Sequence, residues 1–115
     1  MKQPFIIRNR GDVSPVKCPC GDAWRVLTRD DPTPVGVHFV SIQGSAGVHY
    51  HKATTEIYVV LAGDGEIELD GKRHPIRPGD VILIPPEMRH AAHGQLSIMN
   101  IVYPPFDPAD EHRDE

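Results

Sequence analysis

The stretch His49-Tyr50-His51-Lys52-Ala53-Thr54-Thr55-Glu56, followed after six residues by Gly63, decides the fold of this chain. It places three potential metal ligands within eight positions. Two histidines separated by one residue point to the same face of a β-strand, because side chains alternate with a period of two. Four residues between His51 and Glu56 are enough for a tight corner. We therefore expect Glu56 to open the antiparallel neighbouring strand and to face the same interior.

A second block of sequence supplies a fourth ligand. Gly79, Pro85 and His90 lie in a context of glycine and proline that indicates strand, turn and strand. Three neutral imidazoles and one carboxylate form a nitrogen and oxygen shell that suits Fe, Mn, Co, Ni, Cu or Zn better than Ca or Mg. The sequence thus predicts one divalent transition metal, of open identity, with the ligands His49, His51, Glu56 and His90.

These two blocks resemble the motifs of the cupin superfamily, G-x5-H-x-H-x3/4-E-x6-G and G-x5-P-x-G-x2-H-x3-N. The first motif runs from Gly44 to Gly63, with one residue fewer than usual before His49. The second motif has its glycine, proline and histidine in register. The resemblance covers residues 44 to 94, and it implies a small jelly-roll barrel, also called a double-stranded β-helix.

Two positions depart from the second motif. Glu87 stands where a glycine is usual, and Gly94 stands where an asparagine is usual. Neither position supplies a metal ligand in the motif. The departures concern the turn before His90 and a hydrogen bond behind the site.

Composition favours a single all-β domain. The 115-residue chain contains twelve prolines and ten glycines, which is typical of many short strands joined by turns. We expect one domain over residues 1–115, with a barrel core at about 23–103 and an acidic tail at 107–115.

Charge and hydropathy argue against two kinds of partner. Sixteen acidic and twelve basic residues give a net charge of −4 with no basic stripe, which argues against nucleic acid. No apolar run is long enough to span a bilayer. Met1 to Arg8 lack the apolar region and the cleavage site of a secretion signal. We expect a cytoplasmic protein with a small-molecule ligand, no nucleic-acid partner and no membrane partner.

Local patterns predict the strands and turns. Gly63-Asp64-Gly65 is predicted to be a turn, and Asp70-Gly71 is a strong hairpin signal. Pro104 to Glu115 is predicted to hold a packed Phe106 and then a frayed tail. The expected strands are Ala23–Leu27, Val35–Ile42, Val48–His51, Ile57–Leu61, Glu66–Leu69, Lys72–Ile76, Val81–Ile84 (as a buried strand), His90–His93 and Leu96–Tyr103.

Alternation along the strand after Glu56 predicts which side chains face the pocket. Tyr58 and Val60 share the parity of Glu56 and should face inward, whereas the odd positions 57 to 61 should face away. Tyr58 is therefore the candidate catalytic residue, placed behind the metal ligands. The alternative is an aromatic side chain that fills the barrel and has its hydroxyl hydrogen-bonded.

Other aromatic and imidazole side chains have less definite positions. His38, Phe39 and Tyr103 are candidates for the pocket wall, and the strand register does not choose among them. His74 follows the hairpin and should be exposed to solvent. His93 lies three residues after His90, so alternation places it on the opposite face unless a bulge returns it to the pocket rim.

The cysteines and the oligomeric state remain open at this stage. Cys18 and Cys20 could form a redox pair, a thiolate metal site or two inert thiols in a loop. The family resemblance implies a homodimer, with residues near Phe5 to Ile7 as a plausible contact.

Three classes of function have precedent in the superfamily: oxygenases, isomerases or epimerases, and non-catalytic modules that bind small ligands. Four protein ligands on a six-coordinate metal leave two neighbouring positions open for substrate, water or O2. A dioxygenase-like enzyme that acts on a small oxygenated organic molecule leads narrowly, because its ligand shell looks like that of single-domain cupin dioxygenases. A metal-dependent isomerase of sugars or keto acids and a binding module are the alternatives.

Overall fold

The structure is a computed structural model that describes residues 4–19, 21–45 and 47–114. The strands are β1 (Val16–Cys18), β2 (Gly21–Leu27), β3 (Gly36–Ser45), β4 (Thr55–Leu69), β5 (Lys72–Ile76), β6 (Val81–Ile84) and β7 (His90–Tyr103). Single turns of 3-10 helix occupy Arg10–Asp12 and Pro108–Asp110. The described part of the chain has no helix long and apolar enough to cross a bilayer. The prediction of an all-β jelly-roll barrel is confirmed.

The strands form one antiparallel sheet whose order is β1-β2-β3-β7-β4-β5, and β6 pairs with β4. The two longest strands, β4 and β7, pair from Thr55–Tyr103 at one end to Leu69–His90 at the other. Side chains from both halves of β4, among them Tyr58 and Ile67, join one buried apolar cluster. The sheet therefore closes over a core to which both halves of its central strands contribute.

Glycines allow the backbones of β4 and β7 to approach each other closely in the middle of their pairing. Gly63 has φ +102°, and a Cβ at this position would collide with the backbone carbonyl of Gln95. A Cβ at Gly94, where φ is +115°, would collide with the carbonyl of Asp64. The predicted turn at 63–65 is wrong, because these glycines serve a close approach within one continuous strand, with a bulge between Val60 and Ala62.

The turn residues correctly predict the hairpin between β4 and β5 and the ends of β5 and β6. Asp70 (φ 49°) and Gly71 (φ 82°) form the turn between β4 and β5, since both central residues of this turn need positive φ. The predicted bounds of β5 and β6 match the structure. β6 is not a buried strand, however, because Val81 and Leu83 are 65% and 63% exposed. As an edge strand it buries only one face.

The C-terminal segment is docked, so the expected frayed tail is wrong. Asp110 accepts hydrogen bonds from the amides of Lys52 and Ala53 at 3.0 and 3.1 Å and from Thr54 Oγ1 at 2.9 Å. His112 exchanges two backbone hydrogen bonds of 2.9 Å with Tyr50. The segment thus fixes the corner between His51 and Glu56 from outside.

Replacing Gly63 with alanine should strongly destabilise the fold, because the new methyl group meets backbone on the facing strand. We expect Gly63→Ala to lower the free energy of unfolding by more than about 2 kcal/mol, measured by urea denaturation. Gly71→Asn is the matched control, since Gly71 also has positive φ but has open space around it. It should cost clearly less, and equal losses in the two variants would contradict the close-approach explanation.

Candidate metal centre

The first two candidate ligands lie in a loop and are held by isolated backbone bridges. His49 N donates to His90 O at 3.0 Å, and His90 N donates to His49 O at 2.9 Å. The predicted strand Val48–His51 is therefore reduced to single bridges at His49 and Tyr50. The His49–His90 bridge joins the first block of sequence directly to the second.

The turn before His90 accommodates the glutamate at position 87 in a left-handed conformation. Glu87 has φ 73°, the left-handed conformation for which a glycine is the usual residue. Its amide donates to His51 O at 2.7 Å. This turn and the contacts of Asp110 hold the His51 segment from two sides.

Four side-chain atoms converge at one end of the barrel. Glu56 Oε1 lies 2.8 Å from His51 Nε2 and 3.4 Å from His90 Nε2. One ligand atom from each of His49, His51, Glu56 and His90 lies within 4.8 Å of all the others. Glu56 is 4% exposed and His90 is 1% exposed. The four residues predicted from the sequence are thus brought together in a cluster that could hold a metal ion.

Backbone carbonyls orient two of the imidazoles. His90 Nδ1 donates to Met88 O at 2.9 Å, and His49 Nδ1 donates to Gly47 O at 3.2 Å. Since a carbonyl oxygen can only accept, these bonds put the proton on Nδ1 of each neutral ring. The lone pair is then on Nε2, the nitrogen suited to bind an ion.

Electrostatics keep the carboxylate of the cluster ionised. Burial alone would raise the pKa of the Glu56 carboxyl, but the neighbouring His51 and His90 rings lower that pKa far below its usual range. Burial lowers the pKa of His49, and the neighbouring His90 lowers it further. Burial also opposes protonation of His51, yet Glu56 outweighs it and raises the His51 pKa. An ionised carboxylate beside imidazoles is a donor set that suits a divalent transition metal, and binding of the ion would displace the proton that Glu56 favours on His51.

Asn100 holds the carboxylate from behind. Its Nδ2 donates to Glu56 Oε2 at 2.8 Å, so Oε1 is left to face the imidazoles. Asn100 was not among the residues predicted from the sequence. Its signal is a polar residue at an inward position between Ile98 and Val102 in an otherwise apolar alternation.

Unsatisfied buried atoms fit the presence of an ion. Glu56 Oε1 and His90 Nε2 are buried and have no hydrogen-bond partner among the described residues. Such groups cost stability unless something binds them. Ligand atoms about 2.1 Å from one ion lie within roughly 4.2 Å of each other, so small side-chain adjustments bring these four onto one metal. The residues therefore fit a mononuclear transition metal.

The cluster lies against a cavity of about 320 Å³. Tyr58 lines this cavity, and its ring centroid is 6.1 Å from that of His90. Burial raises the pKa of the Tyr58 phenol well above its usual value, and Glu56 adds to this effect. Tyr58 therefore keeps its proton at neutral pH. The inward parity of Tyr58 and Val60 after Glu56 is confirmed.

The structure selects among the other candidates for the pocket wall. His38 is buried and lines the cavity, whereas Tyr103 is 56% exposed, and Phe39 lies on the outer face beneath Arg10. His74 is exposed, as expected. His93 hydrogen-bonds Ser45 and Glu68 on the face opposite to His90, as alternation predicts.

Residues far from the motif complete the pocket. Phe106 contacts the edges of both His38 and His51, with ring centroids 6.0 and 6.4 Å apart, respectively. Cys18 lies at the pocket wall and carries no free thiol, while Cys20 lies outside the described residues.

The sequence profile of the Cupin domain family matches residues 38–96, about half of the chain and all four clustered residues. The chain belongs to the cupin family. The crystal structure of a protein from Planctomyces limnophilus has a TM-score of 0.91 and 43% identity, and covers 96% of this cupin and 97% of the other chain.

Curated relatives match this cupin over part of their length. SchB from Streptomyces halstedii is 36% identical over 90 residues, which are 69% of this chain and 60% of SchB. An uncharacterized protein from Methanocaldococcus jannaschii is 34% identical over 67 residues, which are 55% of this chain and 54% of its own length. The chain thus spans less than two thirds of either relative.

Two enzymes resemble this cupin more distantly. L-ectoine synthase from Teredinibacter turnerae is 28% identical over 100 residues, which are 82% of this chain and 75% of that enzyme. Pac13, described as a unique nucleoside dehydratase, has a TM-score of 0.84 and 19% identity, and covers 97% of this chain and 92% of its own. The likeness to Pac13 shows a shared fold.

Removing the Asn100 amide should weaken metal binding while leaving the barrel folded. In Asn100→Leu, Glu56 Oε2 loses its donor, so the carboxylate is no longer held with Oε1 toward the imidazoles. We expect a metal affinity lower by about 10- to 100-fold, measured by competition with a chromophoric chelator. Met99→Leu, one position away on the outer face, is the control. Unchanged affinity in Asn100→Leu would contradict the positioning role.

His38 should make the protein lose stability in mild acid. Burial and the Arg25 charge lower its pKa from 6.5 to about 4. Between these two pH values the unfolded chain binds a proton that the folded protein excludes. The contribution of His38 to the free energy of unfolding is therefore fully present above pH 6.5 and is lost as the pH falls toward 4. The loss approaches about 3 kcal/mol. Comparing urea unfolding of wild type and His38→Gln in the same metal state isolates this contribution, and parallel pH profiles would contradict it.

Proposed function

We propose that this cupin is a mononuclear divalent-metal enzyme that acts on a small oxygenated organic molecule. The observation that carries the proposal is the convergence of three imidazoles and one ionised carboxylate at the wall of a cavity of about 320 Å³. His49, His51, Glu56 and His90 would hold the ion. A bound ion would supply Lewis acidity, and a redox-active ion would also supply oxygen activation.

The pocket residues favour proton-transfer chemistry, such as isomerisation or loss of water, on a substrate polarised by the metal. Tyr58 is a buried, protonated phenol next to Glu56, so it is placed to donate a proton. His38 is neutral at physiological pH, so its unprotonated ring nitrogen can accept a hydrogen bond from a substrate hydroxyl. His93 and Glu87, two titratable residues on either side of His90, lie outside the pocket lining and are not placed for this role. A relative that shares the fold is described as a nucleoside dehydratase.

Dioxygenase-like oxidation is the second candidate. A shell of three histidines and one carboxylate leaves two neighbouring positions of a six-coordinate metal open. Those positions would take a chelating substrate, or one substrate oxygen and O2. The apolar part of the lining, which includes Val40, Ile42 and Ile98, would exclude bulk water from either reaction.

Metal analysis of three proteins tests the metal assignment. We expect about one equivalent of a transition metal by inductively coupled plasma mass spectrometry in wild type purified without chelator. His51→Ala should lose the metal, because the cluster loses one of its imidazoles, and Glu56→Gln should bind it less tightly. His74→Ala removes an exposed histidine and is the matched control. Metal retained in His51→Ala, or absent from reconstituted wild type, would rule out the site.

The same preparations separate the reaction types. Oxygen consumption with diketones or catechols by Fe-, Mn-, Ni- or Cu-loaded protein supports oxidation. Turnover without oxygen that falls in Tyr58→Phe, while the metal content stays constant, supports proton transfer. Ligand binding with no turnover in either assay identifies a non-catalytic module.

We also propose a homodimer, in the cytoplasm, that uses the apolar outer face of the sheet. Phe5 and Ile7 are 85% and 91% exposed, and Val81 and Leu83 add exposed apolar surface on β6. Exposed apolar side chains such as these would be buried between two copies of the chain. Light scattering should give twice the 12.8 kDa chain mass for wild type and a reduced mass for Leu83→Glu. A monomeric wild type would contradict the dimer.

A further inference from the structure

A row of polar side chains crosses the inner face of the sheet beside the metal cluster. Arg25 pairs with His38, His38 with Asn100, and Asn100 with Tyr58 in the strand register. All four line the cavity. The neighbouring row is apolar, consisting of Ala23, Val40, Ile98 and Val60. The polar groups are therefore concentrated at one level of the barrel.

Three consecutive members of this row have buried polar atoms without partners. Arg25 Nε, His38 Nε2 and Asn100 Oδ1 make no hydrogen bond with the described residues. Asn100 uses only its Nδ2, on Glu56. One buried unsatisfied group costs about 1–3 kcal/mol, so three in a row indicate that a ligand normally supplies the missing partners.

Arg25 carries the positive charge in this row. No acidic side chain among the described residues lies within ion-pair distance of its guanidinium, whereas Arg8 and Arg89 are paired with Asp31 and Asp114. The guanidinium lies over the Phe106 ring, 4.9 Å from its centroid. A guanidinium held by its face on an aromatic ring keeps its N–H edges available for a carboxylate.

Phe106 connects this charge to the metal cluster. The same ring that supports Arg25 packs edge-on against His51, with the centroids 6.4 Å apart. One molecule in the cavity can therefore reach the cluster and the guanidinium together. A divalent ion with Glu56 leaves a net charge of about +1, to which Arg25 adds another, so the pocket favours a ligand with two negative charges.

We propose that the substrate is a small dianionic organic acid bound at both ends. One end chelates the metal, and a carboxylate at the other end pairs with Arg25. His38 Nε2 and Asn100 Oδ1 hydrogen-bond polar groups between the two ends, and Asn100 Oδ1 requires a donor such as a hydroxyl. This assignment rests on the proposed function, because the first end needs the metal.

Matched probes that differ only in the distal carboxylate test the role of Arg25. We would titrate Ni-loaded protein by calorimetry with 2-oxoglutarate and 2-oxoadipate, each beside its monocarboxylate, 2-oxopentanoate or 2-oxohexanoate. Wild type should bind at least one dicarboxylate about tenfold or more tightly than its monocarboxylate. Arg25→Gln should lose that preference and keep its affinity for the monocarboxylate. Arg10→Gln is the control. Arg10 lies over the ring of Trp24, which is on β2 like Arg25 but faces away from the cavity.

Metal content, measured first in each protein, separates the possible failures. Wild type that binds no metal overturns the proposed function and this assignment with it. Wild type that binds metal but shows no dicarboxylate preference, or an Arg25→Gln variant that retains the preference, overturns only the role of Arg25. If Arg25→Gln does not fold, Arg25→Lys replaces it. Lysine keeps the charge but loses the two-pronged contact, so its preference should be reduced, and an undiminished preference would contradict the assignment.

Discussion

The buried carboxylate of Glu56 is the constraint on which the rest of the site depends. An ionised group that is 4% exposed is costly unless hydrogen bonds or opposite charge compensate for it. Asn100 satisfies one oxygen, and His51 and His90 approach the other. The imidazoles of His49 and His90 are in turn fixed by backbone carbonyls and by the His49–His90 bridge. The backbone thus positions the imidazoles, and the imidazoles in turn surround the carboxylate.

Two of the four candidate metal ligands lie on a loop, although metal ligands are positioned more precisely on strands and helices. The loop that carries His49 and His51 has no regular strand pairing of its own. It is pinned by the turn at Glu87, by the bridge to β7, and by Asp110 of the C-terminal segment. The same segment brings Phe106 to the pocket wall. The C-terminal segment therefore both positions the ligand loop and lines the pocket, although it lies outside the two motifs.

How much of this could be predicted depends on whether the signal is local. Asp70-Gly71 specifies its own hairpin, so the bounds of β5 were predictable, and the spacing of His49, His51, Glu56 and His90 predicted residues that the structure brings together. Gly63 was misread because a glycine signals positive φ or close approach equally well in sequence. Arg25 and Asn100 were missed because their adjacency exists only through the register of three strands. The contact between Asp110 and Thr54 is also long-range, and no local sequence pattern around Asp110 predicts it.

Anomalous X-ray diffraction from crystals of Ni-reconstituted protein tests the metal centre most directly. We expect one strong peak bounded by the Nε2 atoms of His49, His51 and His90 and by Oε1 of Glu56, with Glu56 Oε2 still bound to Asn100. A peak at any other set of residues would contradict this expectation. So would the absence of a peak in crystals soaked at saturating metal.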